Sequence, residues 1–258
     1  MKNILNLYKE QGETPLMRIE RFRASNPEYR NIPLSYAGRL DPMAEGVLLV
    51  VVGEENKNKE KYLALDKEYT FEVLFGFATD TYDVLGLMTD AVTRASYRSI
   101  SIPTLNEYVQ QLPGTRAQKY PPFSSKPLEG VPLFVKARKG EVDKNFALPE
   151  HNVTIHSAVL KGATRISAED LLARVKQGVG RVHGDFRQEH TIALWEDTLR
   201  VLYGLSFDVA TIHIVCSSGT YMRGIASDLG AQMGMPALAL SITRTKAGKW
   251  GIRSAERE

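Results

Sequence analysis

The residues with the clearest chemical potential lie in one stretch, Ser35-Tyr36-Ala37-Gly38-Arg39-Leu40-Asp41-Pro42-Met43-Ala44-Glu45-Gly46, which runs into the apolar segment Val47–Val52. That segment is short, β-branched and closed by Gly53, so it reads as a buried strand. Asp41 then sits in a loop that feeds the core. Gly38 and Gly46 permit bends that a Cβ would resist, and Pro42 stiffens the turn, so the carboxylate can be held in a fixed direction beside the charge of Arg39. An Asp-Pro pair also serves as a plain turn former. A second constellation follows an apolar strand over Leu205–Cys216. Ser217–Thr220 turns into a helix whose buried face carries Met222, Ile225, Ala226 and Leu229. Amides at a helix start attract anions, and the guanidinium of Arg223 suits a carboxylate or phosphate. A cation in that first turn opposes the macrodipole at a cost of a few tenths of a kcal/mol, which favours a functional reason for it.

Other polar groups are spaced between these two. Lys67–Gly76 alternates with period two and puts Tyr69, Phe71, Val73 and Phe75 on one side of a strand. Tyr69 reads either as a core aromatic or as a ring facing Asp41. In Phe77–Gly86, Asp80, Thr81 and Asp83 can cap backbone groups or position RNA. Without a third ligand at calcium-loop spacing, they do not read as a metal site. Between positions 116 and 139, Arg116, Lys119, Lys126, Lys136, Arg138 and Lys139 stand against the single acid Glu129, with Tyr120, Phe123 and Phe134 interleaved. Cations contact phosphates and rings stack on unpaired bases, so this is a candidate nucleic-acid surface; a solvated basic loop is the alternative.

The rest of the chain must position these groups. Its 258 residues, 43% hydrophobic and 24% charged, are enough for one substantial core. A net charge of +3 permits a nucleic-acid partner without demanding one. No run reaches membrane-span length and no signal peptide opens the chain. The single cysteine, Cys216, excludes an internal disulfide and a cysteine-based zinc site, and the five histidines form no metal pair. A strand is predicted over Ile4–Tyr8, then a helix capped by Thr14-Pro15 with Leu16, Ile19 and Phe22 on one face. Further helices are predicted over Glu54–Asp66, over Pro103–Leu112, and from Ser167 to near Gly178. A strand is predicted over Val153–Leu160, and an amphipathic stretch around Ile192, Leu194 and Trp195. Gly178, Gly180 and Gly184 lack dinucleotide spacing and follow a helix, so no phosphate-cradling loop is read there.

Gly38-Arg39-Leu40-Asp41-Pro42-Met43-Ala44-Glu45-Gly46-Val47-Leu48 resembles the G-x-L-D-P-x-A-x-G-x-L motif of the TruB family of tRNA pseudouridine synthases. In that family the Asp is catalytic, a role the resemblance gives to Asp41. Lys67-Glu68-Tyr69 resembles the family's K-x-Y, whose Tyr packs against the target base, and Thr79–Gly86 resembles its T-D-T-x-D-x-x-G loop. Residues from Tyr120 to Gly140 resemble its thumb, a segment that folds over the RNA, with Ser124 where the family has a stacking Tyr. Cys216–Gly230 resembles C-S-x-G-T-Y-I-R-x-L-x-x-D-L-G, which implies that Tyr221 lies beside the flipped base and that Arg223 pairs with Asp41. Ile242 and Arg244 match x-L-x-R, with Ile242 as an apolar wall of the uracil pocket. The family's opening K-P-x-G-x-T-S is matched only partly by Lys9–Pro15, and no chemical role is read there.

The resemblance implies a mixed α/β pseudouridine synthase fold: a mixed, mainly antiparallel β-sheet flanked by helices, with a central RNA-binding cleft in one catalytic domain spanning 1–258. The implied reaction isomerises uridine to pseudouridine at position 55 in the tRNA T arm, with Asp41 as nucleophile or base. Arg39, Tyr69, Asp80, Tyr221, Arg223, Ile242 and Arg244 would hold the substrate, and Tyr36, Lys126, Arg138 and Lys139 the RNA around it. Tyr36 stands where the family commonly has His. A phenol stays neutral near pH 7, so stacking or hydrogen bonding is expected there rather than titration. No metal or cofactor, no membrane and no obligate protein partner is expected, and the enzyme is expected to be a cytoplasmic monomer lacking the C-terminal RNA-binding domain of many relatives. A catalytically inactive RNA-binding or tRNA-folding protein, or a related rRNA pseudouridine synthase, are the alternatives. Residues 164–200 read as a helical insertion with balanced charges, expected to pack as an accessory rather than clamp phosphates.

Overall fold

The alternation over Lys67–Phe75 does what period two requires. Phe71, Val73 and Phe75 are fully buried in one core cluster, Tyr69 packs against it, and Leu74 belongs to the core on the other face. The computed structural model describes residues 2–142 and 146–257. In chain order the strands are β1 (Ile4–Lys9), β2 (Leu34–Ala37), β3 (Ala44–Val52), β4 (Lys67–Phe75), β5 (Phe77–Thr79), β6 (Met88–Ala91) and β7 (Gly114–Lys119). They continue as β8 (Pro127–Leu128), β9 (Val131–Pro132), β10 (Glu150–Ser167), β11 (Ser206–Cys216), β12 (Ala237–Ala247) and β13 (Trp250–Gly251). The helices are α1 (Pro15–Ser25), α2 (Lys59–Leu63), α3 (Ile102–Gln110), α4 (Leu133–Arg138), α5 (Ala168–Gly180), α6 (Gln188–Arg200) and α7 (Met222–Gln232).

The main sheet runs β1-β3-β12-β4-β11-β10-β7, with β2 added beside β3 and β13 beside β12. Its pairings are antiparallel except β3 with β12, which lie parallel in the register Ile242↔Ala44 and Arg244↔Gly46. This is the mixed, mainly antiparallel sheet expected from the sequence. Helices cover both faces, α3 and α7 over the cluster of Phe71, Ile212 and Ile242, and α5 and α6 over that of Phe77, Phe207 and Trp195. Among the described residues no helix is long and apolar enough to cross a membrane.

Several local expectations shift. Thr14 caps α1 as expected, accepting from the Met17 amide, but Leu16 is 60% exposed and Arg18 takes the buried place beside Ile19 and Phe22. Arg18 earns it by donating to the carbonyls of Tyr8 (2.7 Å) and Glu256 (2.8 Å), which apolar spacing cannot reveal. Glu54–Asp66 is not one helix: a 3-10 turn over Gly53–Asn58 precedes the short α2, with only Tyr62 buried there. β10 extends far beyond Val153–Leu160, because bulges at Ile155/Ser157 and Leu160/Gly162 let it follow the twist of β11. The buried stripe of α6 is Thr191, Trp195 and Leu199, while Ile192 and Leu194 are only half-buried.

Trp195 is fully buried, packs 5.3 Å from the Phe77 ring and donates its indole N–H to Val84 O at 3.2 Å. Trp195→Ala is expected to cost about 3–5 kcal/mol in urea unfolding, while the exposed Leu16→Ala should stay within about 0.5 kcal/mol of the parent. Similar losses from the two substitutions would contradict this assignment of core and surface.

Candidate active site

Asp41 lies between β2 and β3, and the backbone around it is tied down from β12. The buried Arg244 donates through Nε to Val47 O (2.7 Å) and through a terminal nitrogen to Gly38 O (3.0 Å), bracketing the loop on both sides. Gly46 is required for that approach: its φ is 104°, and a Cβ there would stand 2.3 Å from the Arg244 carbonyl oxygen. Tyr69 is paired with Arg244 across β4 and β12, which brings its ring to the same end of the sheet. The start of α7 arrives there too, because β11 ends in the pair Cys216↔Lys67.

Arg223, almost fully buried, connects three segments. Its Nε lies 2.9 Å from Asp41 Oδ2 and 3.8 Å from Asp83 Oδ2, and its terminal nitrogens donate to Thr81 O (2.7 Å) and Phe123 O (3.2 Å). Burial alone would lower its pKa, but Asp41 and Asp83 outweigh it and the guanidinium is held more firmly charged than usual. Asp83 is buried as well, and desolvation pushes its carboxyl above the ordinary value although Arg223 and the Thr81 hydroxyl pull the other way. Tyr221 is clasped by Gln118, whose amide accepts from the Tyr221 N–H (2.9 Å) and donates to its C=O (3.0 Å). Burial, with Asp41 nearby, pushes the Tyr221 phenol up to about 12; burial also raises that of Tyr69.

These groups enclose a cavity of about 210 Å³ lined by Arg39, Asp41, Lys67, Tyr69, Tyr221, Arg223, Ile242 and Arg244. Of the residues expected at the site, Asp80 is not brought here. It accepts from the Leu87 amide (2.8 Å) and pairs with Arg187 (2.7 Å), as the capping alternative anticipated. Tyr36 does not line the cavity either; it packs against the cluster under α1, with the Lys59 ammonium 5.6 Å from its ring. Lys126, Arg138 and Lys139 are exposed, the last two at the end of α4. Sequence reasoning gave no site role to Lys67 and read Asp83 only as a cap or RNA contact. It also missed the loop joining α5 and α6, whose Asp185 and Phe186 line a second cavity against the first. The helices α5 and α6 pack in the core cluster of Phe77 and Phe207, but no spacing rule flagged their loop.

A carboxylate pinned by a buried guanidinium, beside a cavity walled by two phenols and an aliphatic side chain, is a site for chemistry on a small planar ring. The model of the TruB family pseudouridylate synthase (N terminal domain) matches residues 30–180, more than half of the chain. The tRNA pseudouridine synthase B of Lactiplantibacillus plantarum is 29% identical over 248 residues, covering 96% of this chain and 67% of that protein. Its counterpart in Flavobacterium johnsoniae is 28% identical over 226 residues, covering 88% and 78%. Among solved structures, a chain of the Cbf5-Nop10-Gar1 complex superposes with a TM-score of 0.56 at 13% identity, over 96% of this chain and 49% of that one. The chain thus spans about two thirds of the first of these curated relatives and half of the solved chain. It belongs to the TruB family of pseudouridylate synthases.

Two measurements test the site's electrostatics. Arg223→Lys should lower turnover by well over threefold with the fold retained, since an ammonium cannot reproduce the planar fork shared among Asp41, Thr81 and Phe123. A smaller loss would show that the pairing is unimportant. Burial lowers Lys9, which donates to the carbonyls of Glu10 and Glu13, to about 8, and does the same to Lys67. Both titrate near 10.5 when unfolded, so above about pH 8 the unfolded chain binds more protons and stability rises with pH. Cys216, raised from 9.0 to about 11, acts oppositely above pH 9, which leaves pH 8 to 9 as the clean window. Urea titrations there should show a rise on the order of 1 kcal/mol per lysine, about half of it missing in Lys67→Met. An unchanged slope in that variant would show that burial does not lower the Lys67 ammonium.

Proposed function

We propose that this chain isomerises uridine to pseudouridine in the T arm of tRNA, at position 55, as a cytoplasmic enzyme. The observation that carries the reading is the 2.9 Å pairing of Asp41 with the buried Arg223 at the floor of a cavity walled by Tyr69, Tyr221 and Ile242. A uracil inside a folded T loop cannot reach that carboxylate, so the base is extruded at an unstacking cost of a few kcal/mol. Exposed cations of the thumb, Lys126, Arg138 and Lys139, are placed to contact phosphates, and rings to meet unpaired bases.

In the reaction the bond from ribose C1′ to N1 breaks, the detached ring turns, and C1′ bonds to C5. The hydrogen leaves C5 and N1 becomes protonated. Asp41 serves as the nucleophile or as the base in this sequence, with Arg223 paired to it and aiming it. Tyr69 and Tyr221 hold the ring flat while it turns. Their phenols, pushed upward by burial, remain protonated throughout the neutral range.

Asp41→Asn keeps the side chain's shape and removes its charge. On tRNA transcripts tritiated at uracil C5 it is expected to abolish tritium release while retaining the fold and most RNA affinity. Turnover within tenfold of the parent would remove Asp41 from the chemistry. Tritium release from transcripts lacking the T arm would refute the choice of substrate.

A further inference from the structure

Past Cys216 the chain leaves the sheet, and the turn leading into α7 is fastened to the two strands at the sheet's edge, β10 and β7. The Ser217 amide donates to Thr154 O (2.8 Å), its hydroxyl accepts from the Thr154 amide (2.9 Å), and His151 Nε2 lies 3.0 Å from Gly219 O. Gln118 of β7 makes the last of these attachments, and it is of a different kind. It is buried, and its amide meets both main-chain polar groups of Tyr221, the N-cap residue of α7. A helix start usually caps itself: a Ser, Thr, Asp or Asn side chain serves as the cap, and a Glu or Gln three residues on reaches back to the N-cap amide. Tyr221 has an extended backbone (φ −99°, ψ 111°) and no capping bond from its side chain, and the third residue after it is Gly224, which has no side chain to reach back. Gln118 takes over that task from another strand. Glycine is a poor helix former, yet here it makes the room: a Cβ on Gly224 would stand 3.1 Å from Gln118 Nε2.

We propose that Gln118 is a positioning residue for the isomerisation: by fixing the Tyr221 backbone through both of its polar groups, its amide aims the Tyr221 ring at the base in the first cavity. The proposal rests on the reading given under Proposed function. Tyr221 needs such a hold more than its neighbour does. Arg223, two residues on, is oriented by Asp41, Thr81 O and Phe123 O. The Tyr221 ring instead meets Tyr120 and His151 edge-on, at centre distances of 5.8 and 6.2 Å, and its phenol feels the Ser124 hydroxyl. Edge-on contacts direct a ring less sharply than a hydrogen bond does, and Tyr120 and Ser124 belong to the thumb, the segment read as folding over the RNA. Gln118 belongs to the main sheet. Its two bonds of 2.9 and 3.0 Å, made by one planar amide, leave the Tyr221 backbone little freedom. Glutamine also matches the task chemically, because Tyr221 presents one donor and one acceptor and the amide answers each with its opposite. A ring allowed to swing would leave RNA binding largely intact but hold the detached base less well while it turns, so the cost falls on the chemical step.

The test uses the full chain and a T-arm hairpin tritiated at the target uracil C5, with enzyme in excess so that a single turnover is followed. Gln118→Met keeps the length of the side chain and removes both bonds. It is expected to lower the rate constant for tritium release about tenfold, with hairpin affinity within about threefold of the parent and the fraction of enzyme that binds RNA unchanged. That split separates positioning from folding, because partly unfolded enzyme lowers the binding fraction and not the rate constant. In Tyr221→Leu, itself slow, adding Gln118→Met is expected to cost less than about threefold, since no ring remains to be aimed. Gln118→Glu supplies the conservative rescue. As a carboxylate it repels Tyr221 O; protonated, it donates to that carbonyl and accepts from the amide as Gln118 does. Its rate constant relative to the parent should therefore rise as pH falls from about 8 to about 5.5, burial lifting the new carboxyl above the ordinary Glu range. Arg116 and Asp228 line the same groove as Gln118 and are present in both proteins, so the ratio removes their own titration. A Gln118→Met rate constant within about threefold of the parent, or an equal loss with and without the Tyr221 ring, overturns the proposal and leaves the isomerase reading standing. A ratio of Gln118→Glu to parent that stays flat or falls as the pH drops overturns it as well. No tritium release by the parent overturns both.

Discussion

The structure depends on one ion pair whose cation is buried. Arg223 reaches Asp41 from the first turn of α7 with only 3% of its surface exposed, while the Asp41 side chain keeps 31%, so the guanidinium has given up nearly all of its hydration and the carboxylate part of it. Such a pair is a poor source of net stability, because desolvation consumes most of the attraction. Breaking it is expensive, because the surviving charge is left without a partner. The remaining guanidinium donors go to Thr81 O and Phe123 O, so satisfying this one side chain also fixes the loop after β5 and the base of the thumb. Through two hydrogen bonds and its charge, Arg223 thus ties the loop after β5, the base of the thumb and the Asp41 loop to the start of α7.

A second arginine does for the backbone what Arg223 does for the carboxylate. Arg244 spends its donors on carbonyls before and after Asp41, and the parallel pairing of β12 with β3 carries its own backbone over Gly46. This is why two glycines flank the loop. One takes a left-handed φ of 94°, and the other lies where any side chain would strike the neighbouring strand. Two arginines and two glycines turn a flexible Asp-Pro turn into a rigid mount, which removes most of the entropy a free carboxylate would lose on reaching its reaction geometry.

How much of this could be read from sequence follows from the range of each interaction. The strands at Lys67–Phe75 and Leu205–Cys216 and the α7 stripe were legible, because period-two and helical apolar patterns are local and the core obeys them. The pairing of Asp41 with Arg223 was reachable only through resemblance to the family's motifs, since nothing local reports a contact across 182 positions. Leu16 was placed on the buried face in error and Arg18 overlooked, because apolar spacing cannot see two carbonyls contributed by Tyr8 and Glu256. The phenyl-lined cavity stayed hidden for a related reason. Phe123 and Phe134 were visible as thumb aromatics, but Phe186 lies in a loop whose partners, Arg138 and Leu85, come from elements that only the fold brings near.

Charge placement shows how a chain with so modest a net charge can suit a polyanion. The first cavity is lined by the cations Arg39, Lys67, Arg223 and Arg244 and by one carboxylate, Asp41, a balance equal to the +3 of all 258 residues. Everything outside this lining is therefore neutral on balance. Field lines from such a cleft are concentrated by its low-dielectric walls, which favours phosphate at the mouth over phosphate elsewhere. The buried cations are committed to backbone carbonyls and to Asp41, so they attract at a distance without competing for the substrate at contact. Arg39, Lys126, Arg138 and Lys139, by contrast, are exposed to solvent. Separating the buried cations that set the field from the exposed ones keeps the mount around Asp41 rigid, because donors of Arg223 and Arg244 are spent on backbone carbonyls.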